Sequence, residues 1–120
     1  MTANPPFRFL AVRWEHRFVI LPVASIVRIE ACDDRVRVFA DRPYPHRETL
    51  ARLCARLPSD TFLRVHRSHA VNIDAVLEVR LRHHGEYALV LRDGSVVVSG
   101  RNYRTAVESA FGLLPSRSVA

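Results

Sequence analysis

The 120-residue sequence contains no lysine: all eighteen of its basic residues are arginine, against twelve acidic residues. Cysteine is nearly absent as well. Cys32 and Cys54 are too few for a disulfide scaffold and lack the close spacing of metal ligands, so two buried thiols are expected. No apolar run approaches the roughly 20 residues that cross a bilayer, and Met1 to Pro6 lacks the charged-then-apolar pattern of a secretion signal. A cytoplasmic protein without membrane insertion is therefore expected. No repeat, low-complexity tract or linker divides the chain, and its length suits one domain.

What is present is positive charge. The formal net is +6, with 48% apolar and 25% charged residues, a globular balance whose excess of cations implies a polyanionic partner. The guanidinium fork pairs in two-point fashion with phosphate or a guanine edge. A GC-rich genome also favours arginine codons, so the inference rests on the net charge rather than on the choice of arginine.

Periodicity predicts a strand-rich chain. Arg8 to Arg13 and Arg17 to Leu21 read as a first hairpin closed by Pro22. Ile26 to Cys32 leads through Asp33 and Asp34 into Arg35 to Phe39, where Val36 and Val38 alternate with Arg35 and Arg37. After the Pro43 to His46 stretch, Leu50, Leu53, Cys54 and Leu57 predict an interior helix of about three turns ended by Pro58. Thr61 to Val65 and Ala70 to Ile73 are strand candidates on either side of the cluster His66, Arg67, Ser68 and His69. A meander follows: Val76 to Arg82 with Leu77, Val79 and Leu81 on one face, then Glu86 to Leu91, then Val96 to Val98. A C-terminal helix is predicted over Asn102 to Leu114, with Tyr103, Val107, Ala110, Phe111 and Leu114 on one stripe and Ser99 or Gly100 as cap. A loose tail is expected after Pro115.

Catalysis and metal chemistry find little support. His83 and His84 are adjacent strand-like positions that point apart, so no metal site is expected. Ser68, His66 and Asp74 supply the residue types of a triad, but no nucleophile elbow or glycine-rich oxyanion turn accompanies them. No enzyme activity and no cofactor are expected. Cys32 lies near a loop, but Asp33 and Asp34 beside it disfavour a thiolate.

The run Phe62-Leu63-Arg64-Val65-His66-Arg67-Ser68-His69-Ala70-Val71-Asn72 resembles the F-x-R-x-H-R-S-x-x-V-N signature of the LytTR family of bacterial response-regulator output domains. Ile26-Val27-Arg28-Ile29-Glu30-Ala31 is similar to the family's strand ending in Glu-Ala, and Arg47-Glu48-Thr49-Leu50 to the opening of its helix before Leu57-Pro58. Leu91-Arg92-Asp93-Gly94, with Val98-Ser99-Gly100-Arg101-Asn102-Tyr103, resembles its closing hairpin and Ser-Arg segment. The resemblance covers about residues 8 to 114, the expected core of a single module spanning 1–120.

It implies a mainly β fold with short helices: an elongated arrangement of small antiparallel β-sheets, one interior helix and a C-terminal helix. The implied function is sequence-specific binding of double-stranded DNA as a transcription regulator, with loops entering successive major grooves and the duplex bending. Arg67 and Arg101 occupy base-reading positions. At the third such position Asp33-Asp34-Arg35 departs from the family's Gly-Asn-Tyr type: either Arg35 makes the contact or an aspartate accepts from a cytosine amino group. Arg47, Arg64, Ser68, Ser99 and Arg104 are the implied phosphate contacts. His66 is expected to buttress the loop, and Asn72 matches a family position while also suiting a turn that bonds its own backbone. The implied partners are DNA carrying two imperfect repeats occupied by two copies, and either a receiver domain elsewhere in a longer protein or a separate regulatory protein. A different class remains open: an interaction module that binds an acidic partner through its arginine surface.

Overall fold

The computed structural model describes residues 7–113. They form an elongated body of 55 × 37 × 24 Å, mainly β, as expected. Three antiparallel sheets are stacked. The outermost is the hairpin β1 (Phe9–Trp14) and β2 (Arg17–Pro22), turned at Glu15 and His16. The middle sheet has five strands in the order β5-β4-β3-β7-β6. These are β3 (Arg28–Cys32), β4 (Arg35–Phe39), β5 (Pro43–His46), β6 (Phe62–His66) and β7 (His69–Asn72). Helix α1 (Leu50–Arg56) joins β5 to β6. The third sheet is the predicted meander, β8 (Val76–Leu81), β9 (Tyr87–Leu91) and β10 (Val96–Val98), and α2 (Arg104–Phe111) packs beside it on β6.

Strand alternation explains why the middle sheet is buried on both faces. On one side Ile29 and Ala70 join Leu10, Val12 and Leu21 of the hairpin and Leu50, Leu53 and Leu57 of α1. On the other, Val65 and Val71 join Leu89, Leu91 and Val97 of the meander and Val107 of α2. Each of these residues is at most 4% exposed. Asn72, 1% exposed, ties the layers at one end of the sheet. Its Nδ2 donates to the Ile26 carbonyl at 2.8 Å and its Oδ1 accepts from the Asp74 amide at 2.9 Å, capping the 3-10 turn Ile73–Ala75.

Several elements differ from the sequence reading. The Pro43–His46 stretch is a strand, tolerated because it lies at the sheet edge where a missing N–H leaves no ladder bond unmade. Pairing of Tyr44 with Val38 buries the Tyr44 ring against Trp14. The interior helix has seven residues, about two turns rather than three. Thr49 caps it, its Oγ1 accepting from the Arg52 amide. The supposed apolar face of β8 is broken by a register shift between Val76 and Glu78: Val76 and Val79 pack inward, while Leu77 and Leu81 are 66% and 75% exposed. The C-terminal helix is preceded by a 3-10 turn, Arg101–Tyr103, and neither Ser99 nor Gly100 gives it a side-chain cap. Val107 is buried and Tyr103 and Phe111 half-buried, but Ala110 is exposed, and Gly112 in the left-handed conformation ends the helix. Leu114 and the tail after Pro115 lie outside the described residues. Both thiols are half-buried rather than buried.

Candidate nucleic-acid interface

The antiparallel pairings decide which loops share an end of the molecule. Glu30 of β3 pairs with His69 at the start of β7, and the Ala31 amide donates to the Ser68 carbonyl at 2.8 Å. The turn at Asp33 and Asp34 therefore lies beside the turn at Arg67 and Ser68. Val36 pairs with His46, which brings Arg47 to the same end. The Gly100 amide donates to the Val65 carbonyl at 2.8 Å, so Arg101 begins where β6 finishes. Ser99 bonds Tyr87 across β9, which places the His83–Gly85 turn there as well.

At this end Arg67 and Arg101, remote in sequence, line one open concavity with His66, Gly100, Asn102 and Tyr103. Both arginines are exposed, and among the described residues neither has an ion-pair or hydrogen-bond partner for its side chain. Their turns are held against each other. A Cβ at Gly100 would lie 3.4 Å from the His66 ring and 3.4 Å from that of Tyr103, so the residue there is packed rather than loose. The His66 Nδ1 accepts from the Ser68 amide at 3.0 Å, a bond that shapes the turn carrying Arg67. His69, whose ring centroid is 5.3 Å from that of His66, has its pKa lowered by burial. An exposed, positively charged edge with unpartnered guanidiniums suits phosphate and base edges better than an uncharged ligand.

A family model for the LytTr DNA-binding domain matches residues 16–112. The chain belongs to the LytTR family. It is 34% identical over 95 residues to the sensory transduction protein LytT of Bacillus anthracis, covering 78% of this chain and 39% of that protein. It is 38% identical over 65 residues to the transcriptional regulatory protein BtsR of Escherichia coli K12, covering 54% of this chain and 26% of that one. The chain thus spans well under half the length of these curated relatives. The fold superposes with a TM-score of 0.81 on a solved LytTr DNA-binding domain of a Bacillus cereus response regulator, at 23% identity, covering 88% of this chain and 97% of the other.

Within this LytTR domain the remaining site residues fall into different environments. Arg47 is exposed beside Asp34, Thr49 and Arg52. Arg35 is exposed and 3.7 Å from Asp34, and Asp33 takes a positive φ of 58°, which an aspartate tolerates better than most side chains. Arg64 is half-buried and turned inward: its Nε donates to the His66 carbonyl at 3.2 Å and its Nη2 to the Arg67 carbonyl at 2.5 Å. It clamps the turn that presents Arg67. Arg104 donates from Nε to Glu108 at 2.9 Å, and Glu108 also accepts from the Tyr87 hydroxyl. These two donors hold the Glu108 carboxyl below its ordinary range. The Arg104 guanidinium rests on Gly85, whose φ of 77° disfavours any larger residue there.

One expectation fails on position. Ser99 is 1% exposed, and its hydroxyl accepts from the Tyr87 amide at 3.0 Å, so it is a buried bridge between strands and not a surface that meets phosphate. Sequence reading assigned no role to Asn102, which lines the concavity beside Arg101, or to Arg82 and His83 in the β8–β9 turn. The signal for Asn102 was its adjacency to Arg101. For Arg82 and His83 there was none, because their place depends on the Ser99–Tyr87 pairing. Among the described residues no group of three or more His, Cys, Asp or Glu is placed to hold a metal ion. No helix of these residues is long and apolar enough to cross a membrane.

Proposed function

We propose that this single module, spanning 1–120 with its core at about 8–114, binds a specific site on double-stranded DNA and serves a bacterial transcription regulator. The observation that carries the reading is the convergence of Arg67 and Arg101, both exposed and without carboxylate partners among the described residues, on one concavity at the end of the stacked sheets. Each guanidinium addresses a guanine through O6 and N7, worth about 1–3 kcal/mol of discrimination per base pair. Arg35 reaches a third base from the neighbouring turn, with Asp34 holding its direction. Arg47 and the Ser68 hydroxyl take phosphates and fix the register, while Arg64, His66 and Asn72 support the loops from inside. Arg104 keeps at most a secondary phosphate role, because Glu108 already neutralises it.

Several reading loops side by side at one end favour contact with successive grooves and a bent duplex, whose deformability adds to specificity. Two copies on imperfect repeats would supply the length of a regulatory site, and a receiver domain or a separate protein would supply the signal. The test is selection of duplexes from a random library, then titration of the winner and a scrambled control over a range of salt. Arg67→Ala and Arg101→Ala each lower the preference for the selected site roughly 5- to 150-fold, leaving weak generic binding. Equal binding of winner and control by the unaltered protein would refute the reading.

A further inference from the structure

The outward face of the hairpin differs from the solvent-facing side of β4. Where β4 faces solvent it shows Arg35 and Arg37, the usual polar side of a half-buried antiparallel strand. The outward positions of β1 and β2 are Phe9, Ala11 and Arg13 opposite Pro22, Ile20 and Phe18. Five of these six are apolar. Phe9, Ile20 and Phe18 are 49%, 56% and 62% exposed, side by side across the two strands, on the opposite side of the hairpin from Leu10, Val12 and Leu21. A contiguous apolar face of this kind marks a surface made to be covered.

Charge selects among the possible occupants. Arg8 and Arg13 lie against this face, their guanidiniums 5.3 and 5.8 Å from the ring centres of Phe9 and Phe18. Among the described residues neither pairs with a carboxylate; the Arg13 Nε donates only to the Glu15 backbone carbonyl. A second copy would set the same arginines against one another, and duplex DNA, whose outer surface is charged phosphate, offers too little apolar surface to cover the face. In addition, β2 has a strand partner only on its β1 side among the described residues, so its other edge presents backbone groups to an incoming strand.

We propose that this face docks an extended segment of a partner protein whose alternate side chains are apolar and acidic. The segment adds to the edge of β2, its apolar groups cover Phe18 and Ile20, and its carboxylates meet Arg8 and Arg13. The face is the outermost layer of the stack and points away from the five-stranded sheet, so its occupant and DNA at the loop end bind together. It provides a place for regulation that leaves the reading loops uncovered.

The experiment is selection of a random peptide library, displayed on phage, against the whole folded chain, followed by fluorescence-anisotropy titration of a synthetic winner. The expected winners alternate apolar and acidic residues. Ile20→Ser and Phe18→Ser each weaken them about tenfold or more, Arg13→Glu weakens them and lowers their salt dependence, and the unfolding midpoint stays put because these side chains face solvent. Winners that ignore these substitutions, winners without carboxylates, or no winner at all would overturn the proposal. So would sedimentation showing a dimer that Ile20→Ser abolishes, which would make a second copy the occupant. A peptide site that persists when the chain shows no DNA preference would separate this inference from the DNA reading.

Discussion

Replacing Asn72 by alanine deletes two hydrogen bonds, one of them at a place water does not reach. The Ile26 carbonyl, on a residue that is 0% exposed, loses its 2.8 Å partner, and an unmet buried acceptor costs about 1–3 kcal/mol. The Ile73–Ala75 turn loses its cap from Oδ1 to the Asp74 amide, about 0.5–2 kcal/mol. Together these predict a loss of about 2–4 kcal/mol, a large part of the roughly 5–15 kcal/mol that holds a domain folded. For a domain of this size that corresponds to a fall in melting temperature of roughly 8–18 °C. Urea unfolding followed by the fluorescence of Trp14, which packs on Tyr44 in the first core, measures it directly, with the slope against urea unchanged. Asn72→Asp restores the cap acceptor but aims a carboxylate at the Ile26 carbonyl, so it should be no better than alanine at neutral pH and improve on acidification. A loss below about 1 kcal/mol for Asn72→Ala would refute the claim that this side chain joins the layers.

Two further outcomes follow from other contacts. Glu48 is held at a pKa of about 2 chiefly by its bonds from Arg56, with a further bond to His46, against a desolvation that acts the other way. Its folded pKa is depressed, so its stabilisation is complete above about pH 5 and is lost as pH falls toward 2; with half-exposed Arg56 screened by solvent it amounts to about 1–2 kcal/mol. Glu48→Gln should therefore cost that much at pH 7 and almost nothing near pH 2 in paired denaturation curves. Arg64→Met and Arg47→Met separate the clamp from a phosphate contact in DNA titrations. The first should reduce site preference about tenfold with the salt slope unchanged; the second should weaken all sequences alike and lower the slope by about 0.9. The reverse pattern would exchange their roles.

Much of the architecture could be read from local pattern because the hairpin, β4 and the meander alternate or turn in ways that depend only on near neighbours. Val36 and Val38 are buried between exposed Arg35 and Arg37 as their period requires. Errors arose where a non-local fact intervened. A strand with prolines at Pro43 and Pro45 is legible only once it is known to be an edge, and the inward face of β8 only once the shift at Leu77 is seen. For the site, the motif around Arg67 stood out in sequence. It could not show that Arg64 turns back to its own loop or that the Ser99 hydroxyl is spent on Tyr87.

By itself the sequence determined the strand-rich character of the chain, its family, its surplus of cations and the two arginines worth testing. These rest on composition, period and contiguous motif, which survive in one dimension. Only the tertiary structure decided that Arg67 and Arg101 share a concavity, that Ser99 lies inside, and that the hairpin leaves an apolar face outward. Each of those depends on which strands pair and which face of a sheet is covered, and that is settled by packing between residues far apart along the chain.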